Sequence, residues 1–192
     1  MRHLISVFLI IISTSCTLKP SNTPVPSKLM PDNKIWMTRN LDINIPDSFC
    51  HADDTVNCVQ YGRLYTWESA RQGCRSLGKG WRLPTDEEWR TLAKSYGGIY
   101  DDSADEGKSA YQQLTPGGAS GFGAMLGGNL EPDGNYRRLG EHGFYWTSTS
   151  YDSAEAWFYN FGKEAGLLNH HTGTKKRAMS ARCIWGDPPG DF

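Results

Sequence analysis

An α+β fold is what this sequence predicts, and three observations predict it. Two segments with apolar residues at helical spacing fall in the first half, over Thr66–Cys74 and from Thr85 towards Gly97. Aromatic and β-branched runs dominate the second half, over Phe144–Ser150, Ala156–Phe161 and Ala178–Trp185. The chain is 192 residues long, which suits one domain of about 100–200 residues with its own core. Helices first and strands later are the α+β order, here two early helices packed on a mainly antiparallel late sheet, with one strand arriving from the start of the chain. Aromatics at 12% and hydrophobics at 38% exclude a disordered chain. A formal net charge of -1, with no run of five like charges, excludes the clustered cationic surface that nucleic acid demands.

The elements follow in order. Arg2 and His3 precede an apolar run, Leu4–Ile12, far shorter than the roughly 20 residues of a spanning helix. Residues 1–15 therefore suit a secretory signal. Ser13-Thr14-Ser15-Cys16 resembles the lipobox of bacterial lipoproteins, in which the Cys becomes the acylated first residue. Ser13 stands where that pattern prefers Leu or Val; ordinary signal cleavage is the alternative. Residues 16–33, with Pro20, Pro24 and Pro26 among Ser, Asn and Thr, are expected to form a tether. A single domain is expected over 34–186, with 187–192 a loose tail.

Within that domain Lys34–Leu41 alternates well enough for a first strand, and Tyr61–Tyr65 is a short extended piece. Trp67, Ala70 and Cys74 set one helix, ended by Gly78 and Gly80. Trp81-Arg82-Leu83-Pro84 returns extended, because the residue before Pro avoids the helical region. Thr85 and Glu88 form a capping box for the second helix, with Asp86 and Glu87 at its positive end. Trp89, Leu92 and Tyr96 give that helix one buried stripe. Ile99–Gln113 is polar and acidic, Pro116–Gly128 is glycine-rich, and Asp133-Gly134 turns between short extended pieces. No internal repeat is visible.

Cys16 aside, four cysteines remain: Cys50, Cys58, Cys74 and Cys183. An even set in an exported chain suggests disulfides, with three connectivities open. Cys50–Cys58 with Cys74–Cys183 is favoured, closing a short polar loop and tying an early helix to the last strand. Zinc is disfavoured by the absence of any C-x2-C pair.

Six stretches in order, KIWMTRNL, YGRLYTW, GWRLPTDEEW, GFGAMLGG, GFYWTST and SARC, resemble the signature blocks of the Fibrobacter succinogenes major paralogous domain family, covering about Lys34 to Trp185. The TWESARQGC segment is similar to the first helix of C-type lectin domains, which also pair that helix Cys with one in the last strand. RLPTDEEW is similar to a motif of the formylglycine-generating family, which shares that fold. The resemblance implies a C-type lectin-like fold. The formylglycine chemistry needs a reactive cysteine pair near the C-terminus, and only Cys183 lies there.

Other chemistries are weighed residue by residue. Gly118-Ala119-Ser120-Gly121 misses the G-x-S-x-G spacing, and Gly117–Gly128 lacks the ending of a phosphate loop. Asp101, Asp102, Asp105 and Glu106 could hold a calcium ion, but solvated loop charge is preferred. Glu131-Pro132-Asp133 looks like a lectin calcium triplet, yet reads better as a turn. Adjacent His170 and His171 point to opposite faces of a strand. Trp67, Trp81, Trp89 and Trp146 are expected in the core. No cofactor or metal is expected. The expected function is a non-catalytic lipoprotein module, anchored through Cys16 to the bacterial envelope, on the outer membrane. It would bind a glycan or another surface ligand through Asp152, Glu155, Trp157, Tyr159, Asn169 and His170. The rivals are an enzyme related to the formylglycine-generating family and an adhesin or assembly subunit contacting other envelope proteins.

Overall fold

The computed structural model describes residues 24–187. The apolar run Leu4–Ile12, Cys16 and most of the final tail lie outside the described residues. Among the described residues, no helix is long and apolar enough to cross a membrane.

The architecture is α+β. Its spine is a curled five-stranded sheet, built from β6 (Gly127–Leu130), β7 (Tyr136–Leu139), β8 (His142–Ser150), β9 (Glu155–Gly162) and β10 (Leu167–Thr174) in the order β10-β9-β8-β6-β7. The ladders are antiparallel except where β6 meets β8 in parallel at Gly128 and Gly143. A second, four-stranded sheet has the order β1-β2-β11-β5, from β1 (Ser27–Leu29), β2 (Ile35–Met37), β5 (Trp81–Arg82) and β11 (Ile184–Trp185). A small ladder joins β3 (Ser48–Phe49) to β4 (Leu64–Tyr65). Two expectations are corrected here. The opening strand joins the smaller sheet rather than the late one. The expected tether 16–33 overlaps a strand, because Ser27–Leu29 pairs with Ile35–Met37 across a turn at Asn33, where Asn tolerates a positive φ.

Helix α2 (Trp67–Ser76) and helix α3 (Asp86–Lys94) form where the sequence places them. The capping box is complete: the Thr85 hydroxyl accepts from the Glu88 amide, and the Glu88 carboxylate accepts from the Thr85 amide. The two helices lie against opposite faces of the five-stranded sheet. Tyr145, Tyr159 and Phe161 face the cluster containing Trp36, Trp89, Leu92 and Phe122. Phe144, Trp146 and Phe158 face the cluster containing Ala70, Cys74 and Cys183. A sheet covered on both faces explains why FYW runs on without polar alternation. Trp89 stacks on Tyr159, ring centroids 5.2 Å apart. Trp67 and Trp81, expected in the core, are only half-buried and pack at its margin.

The disulfides are Cys50–Cys58 and Cys74–Cys183. The second spans 109 residues, for which a chain-entropy argument gives up to about 4.7 kcal/mol. Two helices were not legible in advance. Helix α1 (Thr55–Tyr61) buries only Cys58 and turns Val56 and Val59 to solvent, which inverts the expected pattern. Helix α4 (Lys108–Leu114) buries only Ala110 and Leu114, too narrow a stripe to stand out from a polar stretch. It begins after Gly107, whose φ is +76° and whose α-carbon lies so close to the Leu168 carbonyl of β10 that a Cβ would sit 2.5 Å from it.

Arg182 is fully buried and bonds to neutral acceptors only. It donates to Asn40 Oδ1 at 2.7 Å, to the Met37 carbonyl at 3.0 Å, and to the carbonyls of Phe122 and Gly123, with its guanidinium over the Phe122 ring. Burial brings its pKa down from 12.5 to about 10, so it stays charged at neutral pH. Glu88 is buried too. It takes two hydrogen bonds from Arg82, at 2.6 and 2.7 Å, with Lys34 Nζ at 3.3 Å. Burial pushes its carboxyl up, but the Arg82 bonds, the Thr85 amide and the charges of Arg82 and Lys34 together hold it below the usual 4.5.

Arg182→Leu should lower the unfolding free energy in urea by about 3 kcal/mol or more, since several buried acceptors lose their donor at once. For Glu88 the sign follows from its lowered folded pKa: its contribution is present above pH 4.5 and is lost as pH falls towards the folded value. Asp32, whose carboxyl burial raises, acts in the opposite sense. Comparing urea midpoints between pH 7 and pH 3 should therefore show a shallower acid loss for Glu88→Gln than for the parent chain; equal slopes would remove Glu88 from that role.

Candidate functional site

The start of α3 meets three strands of the main sheet. Asp86 is the first residue of α3, and it is held from three sides. Its amide donates to Thr149 Oγ1 of β8 at 2.9 Å, and its carbonyl accepts from the Tyr159 hydroxyl of β9 at 3.2 Å. Its carboxylate Oδ1 lies 2.6 Å from His170 Nε2 of β10. In the β9–β10 ladder His170 stands opposite Tyr159, and Trp157 is one step along the same face. The His170 ring lies flat on Trp157, centroids 4.2 Å apart and 8° from parallel. Tyr151, at the β8–β9 turn and 59% exposed, sets its edge against Trp157 at 5.3 Å. The result is an aromatic ledge with a carboxylate-oriented imidazole behind it.

The six expected ligand residues divide. Trp157 and His170 meet on this ledge, and half-buried Glu155 lies on the same strand face. Tyr159 is fully buried against Trp89, so it is a core residue rather than a ligand contact. Asn169 belongs to the opposite face, because adjacent strand residues alternate; it stands across from Asn160. Asp152 shapes the turn. Its Oδ1 accepts from the amides of Glu155 and Ala154, and those two bonds, with Lys175 nearby, hold the carboxyl below its ordinary value. Asp86 and Tyr151 were missed. Asp86 carries a helix-start signal that hides its pairing with a residue 84 positions away.

The other candidates are engaged locally. Glu131 pairs with Arg177 at 2.9 Å and accepts from Asn129, while Asp133 accepts from the Asn135 amide in the β6–β7 turn. Asp102 pairs with Arg90, and Asp105 accepts from the amides of Ser109 and Gly107 at the start of α4. Among the described residues no three His, Cys, Asp or Glu side chains gather to hold a metal ion. His171 points away from His170; burial, then the neighbouring His170, lowers its pKa. Among the described residues, no hydroxyl or thiol hydrogen-bonds to His170 beyond its contact with Asp86. The arrangement offers an apolar aromatic surface and the Tyr151 hydroxyl, backed by an imidazole whose side chain is only 9% exposed, which suits recognition of a ligand with one apolar face and several hydroxyls.

The family model described as the Fibrobacter succinogenes major domain matches residues 32–185. No curated protein and no solved structure matches the chain.

His170→Ala should uncover one face of Trp157. Acrylamide quenching of tryptophan fluorescence is expected to rise, at a stability cost of about 1 kcal/mol. Unchanged quenching in a folded variant would contradict the stacked geometry.

Proposed function

The chain belongs to the Fibrobacter succinogenes major domain family, and for it we propose a non-catalytic binding module held at the bacterial envelope through a lipid on Cys16. The ligand is a glycan or a similar polyhydroxylated surface compound, received by the ledge of Tyr151, Trp157, His170 and Asp86. The observation that carries this reading is the exposed Tyr151 beside a half-buried Trp157, over an imidazole that a carboxylate orients. An aromatic face covers the apolar side of a sugar ring, and the polar groups beside it accept or donate to hydroxyls.

A C-type lectin-like fold is part of the same proposal. It is supported by the bridge from α2 to the residue before the last strand, and by two helices packed against the central hairpin. The export and anchoring part rests on Leu4–Ile12 and Cys16, and two disulfides are in keeping with an oxidising compartment. The four described cysteines are all bridged, which leaves none of them as the thiol of a formylglycine-type reaction.

A glycan array probed with the full mature chain, with and without calcium, is expected to give binding to a restricted set of sugars. Tyr151→Ala and Trp157→Ala should each weaken that binding about tenfold or more while leaving the fold intact by circular dichroism. A flat array in both conditions sinks the glycan reading, and binding untouched by both substitutions moves the site elsewhere.

A further inference from the structure

Away from the ledge, a groove of about 550 Å³ runs between the segment after β2, the end of α1 and the glycine-rich loop. Arg39 and Asp42 line one side, and Cys58, Val59, Gln60 and Tyr61 line the other. Cys58 is bridged to Cys50, eight residues away. Beside the bridge stands Arg63. Its Nη1 lies 3.5 Å from Cys50 Sγ and 3.6 Å from Cys58 Sγ. The guanidinium is fixed there, because Nε donates to Ser48 Oγ at 3.0 Å and Nη2 to the Ser48 carbonyl at 3.1 Å.

The other bridge is built differently. Cys74 and Cys183 are both 0% exposed, deep in the cluster under α2, whereas Cys50 and Cys58 are 7% and 5% exposed and Cys58 lines the groove. Among the described residues no Lys or Arg hydrogen-bonds to their sulfurs. A cation beside a sulfur stabilises the thiolate, and a thiolate so stabilised is the better leaving group. A short closed loop also gains less from its cross-link than a long one.

We propose that Cys50–Cys58 is an exchangeable disulfide, reached through this groove by an external dithiol, whereas Cys74–Cys183 stays closed while the fold stands. One thiolate of the dithiol attacks Cys58 Sγ; the Cys50–Cys58 bond breaks, and Cys50 leaves as a thiolate beside Arg63. The dithiol's second thiolate then attacks its own sulfur in the mixed disulfide and expels the Cys58 thiolate. The dithiol ends as its disulfide, the protein gains two electrons, and the two protons released by the dithiol are available to Cys50 and Cys58. Asp42, in the same groove, shares the field of Arg63, which opposes the upward push of burial on its carboxyl. Opening the bridge removes the covalent closure of the segment from His51 to Asn57. That segment is then held through the Asp54 cap of α1, through Tyr136, whose hydroxyl donates to Asp53 at 2.6 Å, and through His51, whose ring lies 3.3 Å from the Arg137 carbonyl and whose own carbonyl accepts from Asn57.

The test uses the full chain in native buffer with dithiothreitol, quenched at intervals with iodoacetamide and mapped by mass spectrometry. Cys50 and Cys58 should become alkylated at least about tenfold faster than Cys74 and Cys183. Arg63→Gln should slow that reaction, and Arg63→Lys should slow it less. Val59→Trp, at an exposed position on the groove wall, should slow it by obstructing approach. Opening of both bridges together, or only in denaturing urea, overturns the proposal. If Arg63→Gln does not fold, the selectivity of the parent chain and the Val59→Trp rate decide. A Val59→Trp rate equal to that of the parent overturns the groove as the route.

Discussion

The buried Arg182 guanidinium is the interaction on which the rest of the structure depends. A charge inside a protein is costly unless each of its donor nitrogens finds an acceptor. Arg182 meets that condition with oxygens drawn from distant parts of the chain: Asn40 and Met37 near the opening strand, and Phe122 and Gly123 in the glycine-rich loop. Asn40 passes the constraint on, accepting from Tyr145 and donating to the Tyr61 carbonyl and to Ser180. A loop without regular structure of its own thus has its carbonyls satisfied by a side chain from the end of the chain. That is why a glycine-rich stretch can sit in the interior.

The doubly covered sheet decides where recognition can occur. Tyr145, Tyr159 and Phe161 fill one face and Phe144, Trp146 and Phe158 the other, so neither face of the central hairpin is open to a ligand. What remains are the margins. The ledge lies where β8, β9 and β10 meet the start of α3. The groove lies where α1 closes over the segment following β2. Both are places where a rigid scaffold holds side chains at the rim of the core, close to the loops where binding groups usually concentrate.

Legibility followed the strength of local signals. Helix α3 was readable because Thr85 and Glu88 satisfy each other within four residues, whatever the rest of the chain does. The strands β8 and β9 were readable from their aromatic density, although burial on both sides removed the alternation that would have identified their faces. Helices α1 and α4 were hidden, the first by exposed valines and the second by a two-residue apolar stripe. At the candidate site, Trp157 and His170 stood out as an aromatic and an imidazole on late strands. Their company did not, because strand register rather than composition places Tyr159 in the core and Asn169 on the far face.

The sequence by itself determined the α+β class, the two capped or periodic helices, the aromatic strands, the cysteine set and the family blocks. These are properties of residue type and spacing over short windows, where propensity and covalent geometry act directly. Tertiary structure alone decided that the opening strand leaves the main sheet to pair with β11, and that Arg182 is buried. It also decided that Asp86 meets His170 and that Arg63 stands over one disulfide and not the other. Each of these joins residues far apart in the chain or sets the facing of a strand. No local rule carries that information, because it arises from packing and hydrogen-bond satisfaction across the whole core.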